Sequence, residues 1–267
     1  MANSKYEYVK LYEHHDVCIP KTFMVIRVDG KGFSKFTNDH EYEKPNDLDG
    51  LTLMNNAAIA VMTEFKDIFL AYGQSDEYSF VFKKEADVFR RRKEKIVSTL
   101  ASVFTARFVY DFAKVMKKEL KRLPTFDARI IQYPDLQSLR DYYSWRQVDC
   151  HINNLYNTCF WCIVHKEKKT NKQACAILQD TVSEEKHNML FNKFGINYNN
   201  EKAIYKKGSL LIRDEVVDKE KLEKYVERVK KGIKKISKPR AKKTIVVVHE
   251  DLIKEEFWKK SFPFLYE

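Results

Sequence analysis

Residues 68–82 read IFLAYGQSDEYSFVF, in which two apolar runs rich in aromatic and branched side chains flank the polar stretch Gly73–Glu77. This pattern predicts a β-hairpin with a polar turn. Upstream, Lys21–Val28 reads KTFMVIRV and predicts a buried strand that stops at a turn. Both predicted strand ends therefore carry acidic residues, Asp29 after the first strand and Asp76 in the hairpin turn.

A helix is expected between the first strand and the hairpin, because apolar residues recur at helical spacing over Met54–Phe65. Asp47 or Asp49 is placed to cap its start. A crossover helix normally brings its flanking strands side by side in one sheet. The order strand, helix, strand, turn, strand thus predicts that Asp29 and the turn carrying Asp76 are neighbours.

The rest of the chain predicts more helices and strands, without a clear linker between them. A capping box of Thr181 and Glu184 marks one helix start, and Gly195 follows that helix. We expect an α+β fold of ferredoxin-like type: an antiparallel sheet with helices on one face, followed by a C-terminal helical and β-hairpin extension. The further predicted elements are helices at Val88–Leu120, Leu136 to about Val164, Thr181–Phe194 and Glu220–Ile236, strands at Phe126–Tyr133 and Thr244–Val248, a second hairpin within Ala203–Val217, and a solvated loop at Lys238–Lys243.

Composition excludes several classes of protein. The chain has 267 residues, of which 44% are hydrophobic and 13% aromatic, with only 7 Gly and 6 Pro. Such a chain can build a packed core, which excludes a disordered, collagen-like or low-complexity protein. No apolar run approaches the ~20 residues that span a bilayer, and Met1–Lys10 does not have the apolar stretch of a signal peptide.

The charge is concentrated in one segment. The chain has a net charge of +11, and Lys219–Lys243 alone contains 12 Lys or Arg and 3 Asp or Glu. A basic segment of this kind indicates a polyanion partner such as a nucleic acid, although a membrane surface also attracts it. Five cysteines, an odd number, and the absence of any N-x-[ST] sequence favour a reducing compartment, so we expect the protein in the cytoplasm or nucleus.

The two predicted strand ends offer a candidate metal site. Mg²⁺ prefers oxygen ligands, usually one or two carboxylates with phosphate oxygens and water, and Asp29 and Asp76 could supply the carboxylates. Two ions would activate an attacking hydroxyl and steady a pyrophosphate leaving group. The alternative is that Asp29-Gly30 and Ser75-Asp76-Glu77 are ordinary turn residues.

Three other clusters have both a functional and a structural interpretation. Cys159-Phe160-Trp161-Cys162 could begin a zinc site, but the spacing of a complete site is missing, which favours small cysteines on a buried helix. The amide-rich His151–Asn157 could recognise a polar partner or form a solvated helix start. Arg90–Lys95 could grip phosphate or form a solvated face. No glycine-rich nucleotide-binding motif occurs, so metal and basic side chains would hold a nucleotide.

Six segments, taken together and in this order, resemble the eukaryotic tRNA-histidine guanylyltransferases, which are 3′-to-5′ polymerases. They cover roughly residues 1–215: DGKGF at Asp29–Phe33, KPND at Lys44–Asp47, GQSDEYSF at Gly73–Phe80, SWRQVDCHINNLYN at Ser144–Asn157, NYNNE at Asn197–Glu201 and YKKG at Tyr205–Gly208.

The resemblance implies a catalytic domain like the palm of DNA polymerases at residues 1–135, and a tRNA-contacting helical and hairpin region at residues 136–267 that is packed with it. It implies that ATP adenylylates the 5′-phosphate of histidine tRNA, that the 3′-hydroxyl of GTP displaces AMP, and that pyrophosphate is then removed. Two Mg²⁺ ions, a homotetramer and reading of the anticodon are further implications, and no membrane is involved.

The resemblance also assigns roles to individual residues. Asp29, Asp76 and Glu77 are the expected catalytic residues, and Asp29, the Gly30 carbonyl and Asp76 the expected metal ligands. The expected nucleotide-binding residues are Asp29, Gly30, Lys31, Gly32, Phe33, Lys44, Ser75, Asp76, Arg92 and Lys95. The expected tRNA-recognition residues are His151, Asn153, Asn154, Asn157, Lys206 and Lys207.

Two other functions stay open on the sequence alone. One is a broader 3′-to-5′ polymerase that repairs tRNA 5′ ends, and the other is a tRNA-binding protein without catalysis. From Lys219 onward the sequence matches no motif of the family. The basic segment there could bind the tRNA backbone, act as a nuclear address, or form a solvated helix.

Overall fold

A computed structural model describes residues 4–14, 16–216 and 242–266, together with the helical positions Glu223, Tyr225 and Glu227. Six strands form one sheet in the order β4-β1-β3-β2-β5-β6, and every neighbouring pair is antiparallel. The strands are β1 (Phe23–Gly30), β2 (Ile68–Gln74), β3 (Glu77–Phe82), β4 (Phe126–Tyr133), β5 (Ser209–Val216) and β6 (Lys242–Val248). The α-helices are α1 (Phe33–Asp39), α2 (Leu48–Glu64), α3 (Lys93–Met116), α4 (Leu136–Lys166), α5 (Asn171–Leu178), α6 (Ser183–Phe194), α7 (Ala203–Lys207) and α8 (Glu255–Ser261).

Strand β1 is apolar from Phe23 to Ile26, where both of its faces are covered. Met24, Ile26 and Val28 lie in the core that α2 and α3 share with the sheet. Phe23 and Val25, which alternate with them, lie in a second core with side chains of α4 and α8. The predicted α+β antiparallel fold is confirmed. Helices α2 and α3 cover one face, whereas α4 and α8 cover the opposite face, so helices lie on both faces of the sheet and not on one as the sequence predicts.

The predicted hairpin is confirmed, and it sets the topology. β2 and β3 are joined by Ser75 and Asp76, and Ser75 has a φ of +49°, which the tight turn requires. β1 pairs with β3 and not with β2, so the two strands that flank the crossover helix lie one strand apart. The prediction of direct neighbours was wrong for the strands, yet Asp29 still pairs with Glu77 across β1 and β3.

Helix α2 starts where its sequence predicts. The Oδ1 atom of Asp47 accepts a hydrogen bond from the Gly50 N–H at 2.7 Å, which caps the helix. Helix α3 is, in the described part of the chain, the one helix long and apolar enough to cross a membrane by length and composition. Its Phe104 and Phe108 pack against Phe126 of the sheet, with ring centroids 5.0 and 5.3 Å apart, as in a core helix.

The start of α3 differs from the prediction of a helix from Val88. Phe89, Arg90 and Arg91 have φ values between +49° and +57°, so the helix begins only at Lys93. Arg91 is buried there and donates hydrogen bonds to backbone carbonyls. Arg91 therefore does not act with the other residues of the predicted basic cluster Arg90–Lys95. Its guanidinium bonds to the protein backbone and is not available to phosphate.

The boundary between α5 and α6 shows why the predicted capping box was wrong by one residue. The Thr181 hydroxyl donates to the Leu178 carbonyl at 2.7 Å, which closes α5. The Val182 N–H donates instead to the Glu185 carboxylate at 2.7 Å, and α6 begins at Ser183. The Thr181 hydroxyl could bond either to the end of α5 or to the start of α6, and it bonds to the end of α5.

The predicted hairpin within Ala203–Val217 was also wrong. Ala203–Lys207 forms α7, Gly208 turns the chain with a φ of +73°, and β5 then pairs with β2 and β6. The strand predicted at Thr244–Val248 is confirmed and begins two residues earlier, at Lys242. The rest of the predicted loop and most of the basic helix Glu220–Ile236 lie outside the described residues.

Candidate active site

The two predicted aspartates meet at one edge of the sheet. The Gly30 N–H donates to the backbone carbonyl of Asp76 at 3.1 Å, so the end of β1 lies against the hairpin turn. A Cβ atom on Gly30 would lie 2.8 Å from Asp76 Oδ2 and 2.5 Å from the Phe33 ring. Glycine is therefore required here, because the backbone passes directly beside the carboxylate.

The two aspartates repel each other, and Arg129 of β4 is a basic side chain whose charge acts on Asp29. Burial raises the pKa of Asp76, hydrogen bonds from the turn and from the Ser75 hydroxyl oppose this, and the negative charge of Asp29 raises it further. Among the described residues, no Lys or Arg forms an ion pair with either aspartate. Two close carboxylates without a counter-ion are a suitable environment for a divalent cation.

The donor set fits Mg²⁺. Asp29, Asp76 and the Gly30 carbonyl provide hard oxygen donors, as the sequence predicts. No group of three or more His, Cys, Asp or Glu suited to a metal occurs in the described part of the chain. Phosphate oxygens and water must therefore complete the coordination, which is usual for Mg²⁺ in nucleotide-handling sites.

Glu77 is placed differently from the two aspartates. Arg146 Nη1 of α4 donates to both of its carboxylate oxygens, at 3.2 and 3.1 Å, and Arg27 Nε lies 3.7 Å away. Burial raises the pKa of Glu77, and the two arginines act against this. The Glu77 carboxylate is thus engaged in fixing the hairpin to α4. Local sequence patterns did not reveal this pairing, since the two residues lie 69 positions apart.

A cleft of about 610 Å³ opens at this edge of the sheet and extends between α4 and the loop that joins α1 to α2. It brings together residues predicted for separate tasks, from both halves of the chain. The predicted site residues that line it are Asp29, Phe33, Lys44, Ser75, Asp76, Glu77, Asn153, Asn154 and Asn157.

Lys44 lies on the loop wall of the cleft. It is half-buried, burial lowers its pKa, and its Nζ donates to the Thr37 hydroxyl at 3.3 Å. Lys44 forms no ion pair within the described residues. Lys31 is exposed, and its N–H donates to the Thr125 carbonyl, while Gly32 starts α1 with a φ of +65°. Lys44, which feels the charge of Asp47 but makes no direct ion pair, is a cation in the same cleft as the aspartates and suits phosphate binding.

The three predicted asparagines have different environments. Asn154 is buried, its Oδ1 accepts from Asn46 at 2.9 Å, and its Nδ2 donates to the Tyr198 hydroxyl at 2.8 Å. Its amide therefore holds the α1–α2 loop on α4 and is not free to read RNA. Asn153 and Asn157 are exposed in the cleft.

His151 lies outside the cleft, in a small cluster with residues of the C-terminal half. Its ring centroid is 5.6 Å from that of Tyr198 and 6.3 Å from that of His187. Burial lowers the pKa of His151, and the nearby charges of His187 and Lys206 lower it further. Lys206 Nζ donates to the Asn199 carbonyl at 2.6 Å, while Lys207 offers its carbonyl to Gln147. The predicted tRNA residues thus form two separate groups.

Arg92 and Lys95 do not reach this cleft. Arg92 bridges to Val17, which precedes β1, whereas Asp29 lies near the other end of that strand. An eight-residue strand is roughly 25 Å long. Lys95 lies over the Phe89 ring, 4.9 Å from its centroid. The length of β1 therefore separates these two residues from the aspartates, and their role in nucleotide binding stays a prediction.

The Cys159–Cys162 pair lies on α4. Cys159 is buried and Cys162 is half-buried, and both thiols are free. Burial raises the pKa of Cys159 to about 12, so its thiol stays protonated. This agrees with small cysteines on a largely buried helix.

Comparison with known proteins gives the same picture over the whole chain. A family profile described as tRNAHis guanylyltransferase matches residues 6–134, and one described as the Thg1 C terminal domain matches residues 137–254. The chain belongs to the tRNAHis guanylyltransferase family. The tRNA(His) guanylyltransferase of Schizosaccharomyces pombe is 53% identical over 266 residues, which cover 99% of this chain and 98% of that protein.

Solved structures of the family have the same fold. The crystal structure of the tRNA(His) guanylyltransferase of Saccharomyces cerevisiae is 46% identical, with a TM-score of 0.75 over 78% of this chain and 93% of that one. A bacterial Thg1-like protein in complex with ATP has a TM-score of 0.73 at 21% identity, over 99% of this chain and 100% of that one. The same kind of protein has also been solved with GTP. The palm-like fold expected from the sequence is thereby confirmed.

Proposed function

We propose that this protein is a tRNA(His) guanylyltransferase that adds one guanylate to the 5′ end of histidine tRNA. The observation that carries the proposal is the pair of half-buried carboxylates of Asp29 and Asp76, which form no ion pair with the described residues and which the Gly30 backbone and the hairpin turn hold at one edge of the sheet. Family membership supplies the substrate class, and the carboxylates supply a place for the chemistry.

The proposed reaction has three parts: ATP adenylylates the 5′-phosphate of the tRNA, the 3′-hydroxyl of GTP displaces AMP, and pyrophosphate is removed. When bound, two Mg²⁺ ions supply Lewis-acid activation of the attacking hydroxyl and charge compensation for the leaving pyrophosphate. Asp29, Asp76 and the Gly30 carbonyl would hold them. The Ser75 hydroxyl donates to Asp76 Oδ1 at 3.1 Å, which orients that carboxylate.

The other residues of the cleft position substrate and support these ligands. Lys44 can neutralise phosphate charge without first breaking an ion pair of its own. Glu77, held by Arg146, fixes the turn that presents Asp76 and acts as a positioning residue. No side-chain nucleophile is needed, because positioned phosphates and electrostatic stabilisation supply most of the rate.

The proposed macromolecular partners are histidine tRNA and further copies of the chain. Asn153 and Asn157 in the cleft, and His151 with Lys206 outside it, are the proposed contacts to tRNA. A homotetramer is supported by the N-terminal segment, where Tyr6, Leu11 and Tyr12 are 63, 84 and 76% exposed. Apolar side chains gathered in one exposed segment are typical of an interface. Light scattering of the wild type and of a variant with these three residues changed to Ser would measure the assembly.

The function is tested by the transfer of label from α-³²P GTP to a histidine tRNA without its extra 5′ guanylate, with ATP and Mg²⁺ present. We expect label with the wild type and none with Asp76→Ala. Asp67→Ala is the matched control, since Asp67 is exposed at the other end of β2. A 5′-truncated non-histidine tRNA in parallel distinguishes a broader repair polymerase. If the wild type binds tRNA without labelling either RNA, the protein is a binding protein and the proposal fails.

A further inference from the structure

The two ends of the cleft differ in chemistry. One end holds the aspartates described above. The other end, here called the aromatic end, lies between α4 and α5 and consists of Tyr156, Asn157, Phe160, Trp161 and Asn171. None of these residues is acidic, and none belongs to the metal site. A surface of aromatic rings and amides suits a flat, polar ring better than it suits phosphate.

Trp161 is the largest of these side chains, and its position follows from the helix. Asn153, Asn157 and Trp161 are spaced by four residues, so they lie on one face of α4, the face that lines the cleft. The His165 ring stacks on the indole with centroids 5.1 Å apart, and Phe160 packs edge-on against it at 5.2 Å. These neighbours restrict the indole before a ligand binds, which reduces the side-chain conformational entropy lost when a ligand stacks on it.

Lys44 connects the two ends. Its Nζ lies 5.7 Å from the centroid of the Trp161 ring and donates to Thr37 of α1, the helix that begins just after the Gly30 edge. The Lys44 cation thus links a carboxylate end suited to metal and phosphate with an aromatic end suited to a base. This order of groups matches the order of phosphate and base in a nucleotide.

We propose that the aromatic end is a nucleobase site in which Trp161 is the stacking surface. Asn157 and Asn171 offer amide donors and acceptors to the edge of the base. The base can come from a nucleoside triphosphate or from an unpaired nucleotide of the RNA. This inference rests on the proposed function for the identity of its ligands, and the experiment separates the two.

Tryptophan fluorescence tests the site directly. The chain has three Trp residues: Trp161, Trp145, which is 54% exposed on the same helix, and Trp258, which is fully buried. ATP, GTP, inorganic tripolyphosphate and histidine tRNA are titrated into the wild type, Trp161→Phe and the matched control Trp145→Phe. We expect saturable quenching by at least one base-containing ligand in the wild type and in the control, and its loss in Trp161→Phe. Tripolyphosphate, which has no base, should not quench.

Steady-state kinetics identifies the source of the base. Trp161→Leu removes the stacking surface, and we expect it to raise the KM of the stacked ligand about tenfold with a small change in kcat. Trp161→Phe, which keeps an aromatic ring, should restore most of the affinity. A raised KM for ATP or GTP assigns the base to that nucleotide, whereas a raised KM for tRNA alone assigns it to the RNA.

Two results overturn the inference: quenching in Trp161→Phe equal to that of the wild type, or KM values for all three substrates that Trp161→Leu leaves unchanged. If Trp161→Leu does not fold, the fluorescence of Trp161→Phe decides. If the wild type labels tRNA and Trp161 proves irrelevant, the nucleobase site fails while the proposed function stands. If the wild type labels no tRNA but ligands still quench Trp161, the proposed function fails while the nucleobase site stands.

Discussion

A buried arginine and a half-buried pair of aspartates lie beyond opposite ends of β1, and their charges are satisfied in opposite ways. Beyond the start of β1, Arg91 is 6% exposed and donates six hydrogen bonds, five of them to backbone carbonyls. At the end of β1, Asp29 and Asp76 repel each other, and neither forms an ion pair in the described part of the chain. Hydrogen bonds within the folded chain satisfy the charge of Arg91, whereas the charges of Asp29 and Asp76 are available to a ligand.

This contrast between Arg91 and the two aspartates distinguishes a charged group that serves folding from one that serves function. A buried group that the protein satisfies completely contributes to folding and has no spare bond for substrate. A pair of like charges that remains unbalanced costs folding free energy, so its presence points to a ligand that balances it. Substitutions at the two ends should therefore separate activity from stability.

The largest expected effect is on activity, at the aspartate end. Asp76→Asn keeps the shape of the side chain but removes its charge, so it should lower the labelling rate by about a thousandfold or more. Stability should not fall, since a buried like-charge repulsion is removed. Activity and thermal unfolding of Asp76→Asn, compared with Asp67→Asn, measure both. A variant that unfolds more easily and keeps its activity would reverse the assignment.

The second effect is on stability, at the arginine end. Arg91→Met leaves several buried carbonyls without a donor and should lower the free energy of unfolding by about 3 kcal/mol. Its exposed neighbour provides the matched control, Arg90→Met, which should change stability by less than about 0.5 kcal/mol. Urea unfolding measures both. The activity per folded molecule should be the same in both variants, and equal stability of the two would contradict the structural role.

The third effect is at the ion pair that joins the two halves of the chain. Arg146→Met leaves the Glu77 carboxylate buried with only Arg27 near it, and should lower the free energy of unfolding by about 2–3 kcal/mol. Adding Glu77→Gln to this variant removes the uncompensated charge and should recover part of the loss. Arg122→Met is the control, because Arg122 is 45% exposed and pairs with Asp39, away from Glu77.

A double-mutant cycle decides whether the pair acts as one unit. The coupling free energy between positions 77 and 146 should be clearly larger than zero, with activity falling in step because the turn that carries Asp76 loses its support. Additive effects of the two substitutions would show that Glu77 acts independently of Arg146. This would agree with the catalytic role that the family resemblance assigns to Glu77.

The sequence predicts the parts of this fold that are decided locally. The hairpin at residues 68–82 is recognisable because its alternation and its turn lie within one short segment, and the Asp47 cap because the carboxylate and its N–H partner are three residues apart. The two aspartates of the candidate site could be found because each follows an apolar strand. The prediction that the two aspartates lie close together required only that their strands belong to one sheet. It therefore held although the predicted order of the strands was wrong.

The parts that sequence reasoning missed depend on distant contacts. Nothing local shows that Arg91 turns inward, since its bonding partners come from the segment before β1 and from the segment that follows β3. That burial also places Arg92 and Lys95 far from the aspartates. Similarly, Asn154 has the same local sequence signal as Asn153, and only the positions of Asn46 and Tyr198 make it a structural residue.

The smallest expected effect is the pH dependence of stability at the aspartate end. The pKa of Asp76 is raised in the folded state, so ionisation disfavours folding. Its contribution to stability is therefore fully present below the ordinary Asp pKa of ~3.9 and is lost as pH rises through the higher folded pKa. The side chain of Asp76→Asn does not titrate. As pH rises through the folded pKa of Asp76, the Tm of this variant should therefore increase relative to that of the wild type, whereas the Tm of Asp67→Asn should not.

Magnesium sharpens this last test. If the lost stability comes from two carboxylates without a counter-ion, Mg²⁺ should raise the Tm of the wild type at neutral pH and have little effect on Asp76→Asn, because a ligand stabilises only the state that binds it. At acid pH the proton takes the place of the metal, and the same Mg²⁺ should have little effect on either protein. A Tm gain that is equal in both proteins at neutral pH would place the bound ion elsewhere on the molecule.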